Sequence, residues 1–206
     1  MARALAVLVL AGLGACSSAR GVPRTLEEEP VRETFQRAHP GGGRASERQV
    51  LVHADGRSER DGFEREFSPE GRLLAERFFA RDVPCGTWRE WYSDGTPRTE
   101  IEFGAAGAAE LLPGRYWHPD GRLAAEGRTR AGLREGEWSF WDEQGRLLRR
   151  GGYRAGLRDG DWLFLRPDGS REAEGRYAQG QRVGEWILWD EDGEAYTRPA
   201  AEAREP

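Results

Sequence analysis

The stretch from Gly136 to Gly193 repeats itself. GEWSFWDEQGRLLRRGGYRAGLRD is followed by GDWLFLRPDGSREAEGRYAQGQRV and then by the opening of a third copy, GEWILWDEDG. Gly136, Gly160 and Gly184 stand 24 residues apart, as do Trp138, Trp162 and Trp186, and again Gly145, Gly169 and Gly193. Gly132, Gly156 and Gly180 keep the same step, with Arg134, Arg158 and Arg182, and Tyr153 with Tyr177. A fixed period of this length restricts the chain to an array of like units, each leaning on its neighbours.

Upstream the period persists with wear. Gly71 to Gly95 is 24 residues, Gly95 to Gly121 is 26, and Gly121 to Gly145 is 24 again. The two extra residues fall in the Ala-rich stretch GAAGAAELLPG, where the G-x-W start is lost; GTWREWYSDG restores it one repeat earlier, at Gly86, Trp88 and Trp91. Eight residues after each turn glycine comes Phe79, Phe103, Thr129, Tyr153 or Tyr177. The array is expected to span residues 49–193.

Within each repeat a strand such as GEWSFW runs into WDEQG, RPDG or HPDG, and a second strand such as RLLRRGGY follows. Glycine, in most of these turns directly after Asp, supplies the positive φ that hairpin turns need, at Gly71, Gly95, Gly121, Gly145, Gly169 and Gly193. A second turn with two glycines four apart, as in YRAGLRDG, is expected to return the chain to the next strand. Two short strands and two turns per period predict an all-β fold, an elongated antiparallel β-meander of about six stacked 24-residue hairpins. The composition agrees: 28 glycines for turns and eight tryptophans for thin repeats that bury large rings at few positions.

Strand alternation sorts the aromatics into two rows. Trp138 with Phe140, Trp162 with Phe164, and Trp186 with Leu188 fall on one face, where Trp88, Tyr153 and Tyr177 complete a predicted core. Trp141, Leu165 and Trp189 fall on the other, with Trp91, Trp117 and Phe67. Two arrangements satisfy this pattern. Either a curled or layered sheet buries both rows, or one row is core and Trp91, Trp117, Trp141 and Trp189 form a partly exposed binding face.

The chain opens MARALAVLVLAGLGA, an apolar run too short to span a bilayer and laid out as an export signal. Leu13-Gly14-Ala15-Cys16 resembles the lipobox of bacterial lipoproteins, which implies cleavage before Cys16 and acylation of that residue. Residues 1–15 are then the signal peptide. Residues 16–48, with Pro23, Pro30, Pro40 and the triplet Gly41-Gly42-Gly43, read as a flexible linker in which Pro30 argues against a long helix over 26–37. Residues 194–206 read as a tail. Ser17 in place of Asp after the lipidated cysteine favours an outer over an inner membrane of the bacterial envelope.

The string G-x-W-x-x-W-x-x-x-G, followed by an aromatic-x-x-G-x-x-x-G step, resembles the MORN-repeat variant found in bacterial proteins of the YwqK antitoxin type. The resemblance is best from Ala131 to Gly193. It implies stacked β-hairpins in a twisted sheet that acts by binding, with no catalytic residues to carry over, and it makes a toxin one candidate partner.

Other chemistries find no support. His39, His53 and His118 lack metal-ligand spacing. Asp142-Glu143 and Asp190-Glu191-Asp192 sit in turns too short to converge six oxygens on calcium, and Arg166-Pro167 replaces them in the middle repeat. No nucleophile motif occurs, and a phosphate loop would need the lysine this chain lacks. No cofactor and no catalysis are expected. A net charge of −5 speaks against a nucleic-acid partner. Cys85 reads as an incidental free thiol once Cys16 carries lipid. The expected ligand of an envelope-anchored array is another protein, with an extended glycan stacked on the tryptophans as the alternative.

Overall fold

The structure, a computed structural model, describes residues 29–105 and 110–202. It is one open sheet of 14 antiparallel strands in sequence order. These are β1 (Val31–Ala38), β2 (Arg44–Val52), β3 (Ser58–Phe67), β4 (Leu73–Ala80), β5 (Val83–Trp91), β6 (Pro97–Phe103) and β7 (Leu111–Trp117). They continue as β8 (Leu123–Arg130), β9 (Leu133–Trp141), β10 (Leu147–Arg154), β11 (Leu157–Leu165), β12 (Arg171–Ala178), β13 (Gln181–Trp189) and β14 (Ala195–Pro199). The all-β meander expected from the period is the observed fold.

Two kinds of turn alternate. At one end of the strands, Gly56, Gly71, Gly95, Gly121, Gly145, Gly169 and Gly193 adopt φ between 78° and 96° and close type I turns. Each donates its N–H to the carbonyl three residues earlier, as Gly95 does to Tyr92 at 2.9 Å. At the other end, two-residue turns hold both central residues at positive φ: Arg81-Asp82, Ala131-Gly132, Ala155-Gly156 and Gln179-Gly180. That is the twist-matched hairpin geometry.

The second glycine of the expected return turn plays another part. Gly86, Gly136, Gly160 and Gly184 lie inside β5, β9, β11 and β13 at φ between 65° and 91°. The register skips beside each of them, so that Gly127 faces Trp138 while the next residue, Arg128, faces Glu135. The G-x-W signature is thus a bulge within the strand, made by a residue type that tolerates left-handed φ.

The sheet also begins earlier and ends later than the sequence suggests. Residues 31–38 and 44–48, expected within the linker, belong to β1 and β2, which pair around a turn in which Gly42 and Gly43 take φ of 91° and 77°, while 49–52, the rest of β2, fall where the array was expected to start. The glycine triplet serves a hairpin, and the stretch after Pro30 is a strand. Residues 195–199 of the expected tail pair with β13. Cys16 and the signal segment lie outside the described residues.

The core is carried by one face of this single layer, here the aromatic face. Trp138, Trp162 and Trp186 are 0–1% exposed and cluster with Phe140, Phe164, Tyr177, Ala125 and Ala173. A single layer can bury an indole this deeply because each ring lies flat on a glycine of the preceding strand. A Cβ added at Gly127, Gly151 or Gly175 would stand 2.2–2.5 Å from the ring of Trp138, Trp162 or Trp186. Trp138 Nε1 donates to the Arg128 carbonyl at 2.9 Å, and Trp162 Nε1 to that of Gly152 at 3.0 Å. The period-locked arginines close the outside. Arg134 lies 4.8 Å from the Trp138 ring and 5.3 Å from Tyr153, Arg158 lies 5.2 Å from Trp162, and Arg182 lies 4.1 Å from Trp186. Cation–π contacts of this kind contribute about 0.5–2 kcal/mol each.

Candidate functional site

The predicted core residues do not all share one environment. Phe140, Phe164 and Tyr177 join the fully buried cluster, while Tyr153 is half-buried against it, edge-on to Trp162 at 5.3 Å. Trp88 is only half-buried, between Phe79 at 5.1 Å and Phe103 at 4.5 Å. The reason is local. The glycine that faces the later tryptophans is replaced by Arg77, so no flat seat exists for the Trp88 ring.

Around Arg77 the aromatic face becomes ionic. Glu64 stands in β3 at the tryptophan position, and Arg77 lies 3.9 Å from it, 2.7 Å from Glu66 and 2.9 Å from Glu90. Burial opposes the Arg77 charge, and the Glu66 and Glu90 carboxylates more than offset it, holding its pKa above the ordinary guanidinium value. In the degenerate repeat Gly114 takes the tryptophan position, and the Thr129 methyl with the edge of Trp138 fills the space a side chain would occupy.

The opposite face carries the second aromatic row. Phe67, Trp91, Trp117, Trp141, Leu165 and Trp189 close successive odd-numbered strands and all are half-buried. The row is pinned by its backbone. Tyr92 Oη donates to the Trp117 carbonyl at 2.8 Å, His118 Nε2 lies 2.9 Å from the Trp141 carbonyl, His39 Nε2 lies 3.0 Å from that of Phe67, and Arg166 donates to that of Trp189. Two of the three histidines thus tie neighbouring hairpin ends together.

Beside that row runs a ladder of charge that the sequence alone did not reveal. Glu47, Arg65, Glu76, Arg89, Glu100, Arg115 and Glu126 are direct cross-strand partners on β2 through β8. Arg65 meets Glu76 at 2.8 Å and Glu47 at 3.3 Å, Arg89 meets Glu100 at 3.0 Å, and Arg115 lies 3.7 Å from Glu100 and 3.9 Å from Glu126. The signal was present as acid and arginine at recurring offsets, but it takes the register to show that they alternate. Beyond Glu126 the row continues through Ser139, Arg150, Leu163, Glu174 and Ile187, mixed and no longer strictly alternating. At the changeover an open groove is lined by Leu111, Pro113, Arg115, Glu126, Arg128 and Glu137. Glu47 is buried and Arg65 and Glu76 are largely covered, while the pairs from Arg89 to Glu126 are more open. Open pairs contribute about 0–1 kcal/mol each, so over that stretch the ladder fixes register and presents charge more than it holds the fold.

Among the described residues no three His, Cys, Asp or Glu side chains gather as metal ligands. Cys85 is a half-buried free thiol on this face, and burial, with Asp61 nearby, pushes its pKa up. That is the opposite of an activated nucleophile.

Comparison with known proteins gives one match. A family model described as MORN repeat variant fits residues 84–104, which hold the Gly86 bulge, Trp88, Trp91 and the Gly95 turn. No curated protein matches the chain. The match falls on the hairpin of β5 and β6, and positive-φ glycines equivalent to Gly86 and Gly95 recur in the hairpins from β9 to β13.

Proposed function

We propose that this protein is an envelope-anchored binding module. The array grips an extended protein partner along the face that bears Trp91, Trp117, Trp141 and Trp189. The observation that carries this reading is the contrast between the two rows. One is sealed under arginines on a glycine floor, while the other is half-open, evenly pitched and flanked by fixed charges. Aromatic rings held rigidly beside arginines supply contact area at small entropic cost, as binding surfaces require.

The test pairs a thermal melt with capture. Trp141→Ala with Trp189→Ala should leave stability within about 1 kcal/mol, the scale of changes outside the core, and abolish partner recovery from envelope extract. Trp162→Ala should lower stability by about 3–5 kcal/mol. A double variant that unfolds would place the second row in the core and defeat the reading. Recovery of one stoichiometric protein would make the partner a toxin-like cognate, whereas capture of polysaccharide alone would replace the protein ligand with a glycan.

The anchor rests on Cys16. Several acyl chains hold a protein at a bilayer where one exchanges, at about 0.8 kcal/mol per buried CH₂. Cys16→Ser should move the protein from the membrane to the soluble fraction, or block its maturation. Undiminished membrane association of the variant would remove the lipoprotein reading.

A further inference from the structure

An open sheet has two edges, and here they are unlike. The C-terminal edge, β14, has five residues, ends at Pro199, and folds back where the Ala200 N–H donates to the Gly184 carbonyl at 2.9 Å. Shortness and proline are the usual protections against strand addition. The N-terminal edge, β1, has eight residues with no proline among them, and every one is exposed. It shows Val31 at 61% and Phe35 at 46% exposure, two apolar side chains left open on the edge strand itself.

The sequence of β1, VRETFQRA, is self-complementary in one antiparallel register. Placing Phe35 opposite Phe35 of a second copy sets Glu33 against Arg37 twice, once on each side of the axis, and Thr34 against Gln36. Glu33, Phe35 and Arg37 share the aromatic face by alternation, since their partners on β2 are Val50, Arg48 and Ser46. Neither Glu33 nor Arg37 pairs with any other described residue. Shifting the register by one residue one way would bring Arg32 against Arg37, and the other way would set Glu33 against Ala38 and Arg37 against Thr34, so either shift loses both ion pairs. We propose that β1 pairs with β1 of a second copy of this chain, forming a two-fold dimer with one continuous 28-strand sheet. A twofold edge contact closes on itself, and the blunted β14 edge keeps the assembly from growing into a filament. The dimer doubles the length of the tryptophan row and carries two lipid anchors.

The test is the mass of the full chain carrying Cys16→Ser, measured by light scattering and sedimentation across a concentration series. The expected species is twice the 23.1 kDa chain. Glu33→Arg should weaken the dimer by about tenfold or more, because it sets like charges opposite each other at two places. Arg37→Glu should do the same. Mixing the two variants, or combining both changes in one chain, should restore the dimer, since each recreates two Glu–Arg pairs. Opposite residues of an antiparallel pair lie about 4.5–5.5 Å apart at Cα, within disulfide range. Phe35→Cys in a Cys16→Ser, Cys85→Ser background should therefore crosslink to itself on oxidation. Thermal melts of the charge variants at concentrations low enough for wild type to be monomeric should match wild type, which separates lost pairing from lost folding. A wild-type chain that stays monomeric up to about 100 μM would overturn the proposal. That outcome would be expected if the chain's own N-terminal segment covered β1. Charge variants that fail to rescue one another would overturn it equally.

Discussion

Gly151 shows how much of this core depends on the absence of a side chain. Its Cα hydrogens face the Trp162 ring, and a methyl group there would stand 2.3 Å from the indole. The ring cannot retreat, because Arg158 covers it and its Nε1 is tied to the Gly152 carbonyl. Gly151→Ala should therefore cost about 3 kcal/mol or more, at the upper end of overpacking effects. Gly145→Ala, at a turn with open space around it and φ of 78°, should cost about 1 kcal/mol, from backbone strain alone. Denaturant melts of the two variants decide the matter, and an equal loss at both would mean that the indole does not rest on Gly151. The tryptophan row was legible in the sequence because large residues at a fixed period stand out. Its glycine seat was not singled out, although Gly127, Gly151 and Gly175 keep the same 24-residue step. Their role appears only when the register sets each opposite a tryptophan of the next strand, as Gly127 faces Trp138 and Gly151 faces Trp162.

At the scale of the hairpin, the turns knit one repeat to the next. The N–H groups of Asp82, Gly156 and Gly180 donate to the carbonyls of Arg60, Arg134 and Arg158, one repeat earlier, at 2.8–2.9 Å. The acid that follows such an arginine takes the adjacent turn N–H, as Glu135 does from Ala155 at 2.8 Å. The triplet R-[DE]-G therefore supplies a carbonyl, a carboxylate and a bulge in succession. Sequence reasoning placed both its glycine and the turn glycine in one loop, because residue type does not distinguish a bulge from a turn when both need positive φ. At the opposite end, Asp55, Asp94 and Asp120 each accept the backbone N–H two residues on, from Arg57, Thr96 and Arg122, at 3.0, 2.8 and 2.9 Å. Those bonds come first among the causes that hold all three carboxyls below the usual aspartate range. A carboxyl whose native pKa is depressed stabilises the fold above the unfolded value of about 3.9 and ceases to do so as pH falls through the native value. The melting temperature should be level above about pH 5 and decline below about pH 4. Asp94→Asn with Asp120→Asn, which keeps the accepting oxygen and removes the charge, should make that decline shallower. An unchanged acid slope would show that these turns do not report folding.

Across the whole molecule the two halves are built of different chemistry. From β8 to β13 the aromatic face is a run of stacked rings on glycine, as in the 6.2 Å stack of Phe140 on Trp162. From β3 to β5 the same face holds Glu64, Glu66, Arg77 and Glu90 beside a half-buried Trp88. The period in the sequence made the halves look alike, because turn and bulge glycines recur in both while the residues between them decide the core. It also hid β1 and the first half of β2, which share the sheet's alternation but not its glycine spacing. The junction has the shortest register in the sheet: among the described residues β6 meets β7 through Thr99–Tyr116, Glu100–Arg115 and Ile101–Gly114. The sequence marks the place by its two-residue insertion and its missing tryptophan. In a stack where each unit leans on its neighbours, a thin interface between segments of unequal stability divides cooperativity. The ionic half should therefore unfold first, and more readily in high salt, which screens the Arg77 and Arg65 clusters. The aromatic half should follow in a separate transition. Six of the eight tryptophans lie at or after Trp117, so fluorescence should follow the second event while far-ultraviolet dichroism registers both. Arg77→Gly with Glu64→Trp, which writes the glycine seat and its ring into the ionic half, should draw the two transitions together. A calorimetric enthalpy equal to the van't Hoff value for wild type, with both probes coincident, would show instead that the three pairs between β6 and β7 are enough to make the array fold as one.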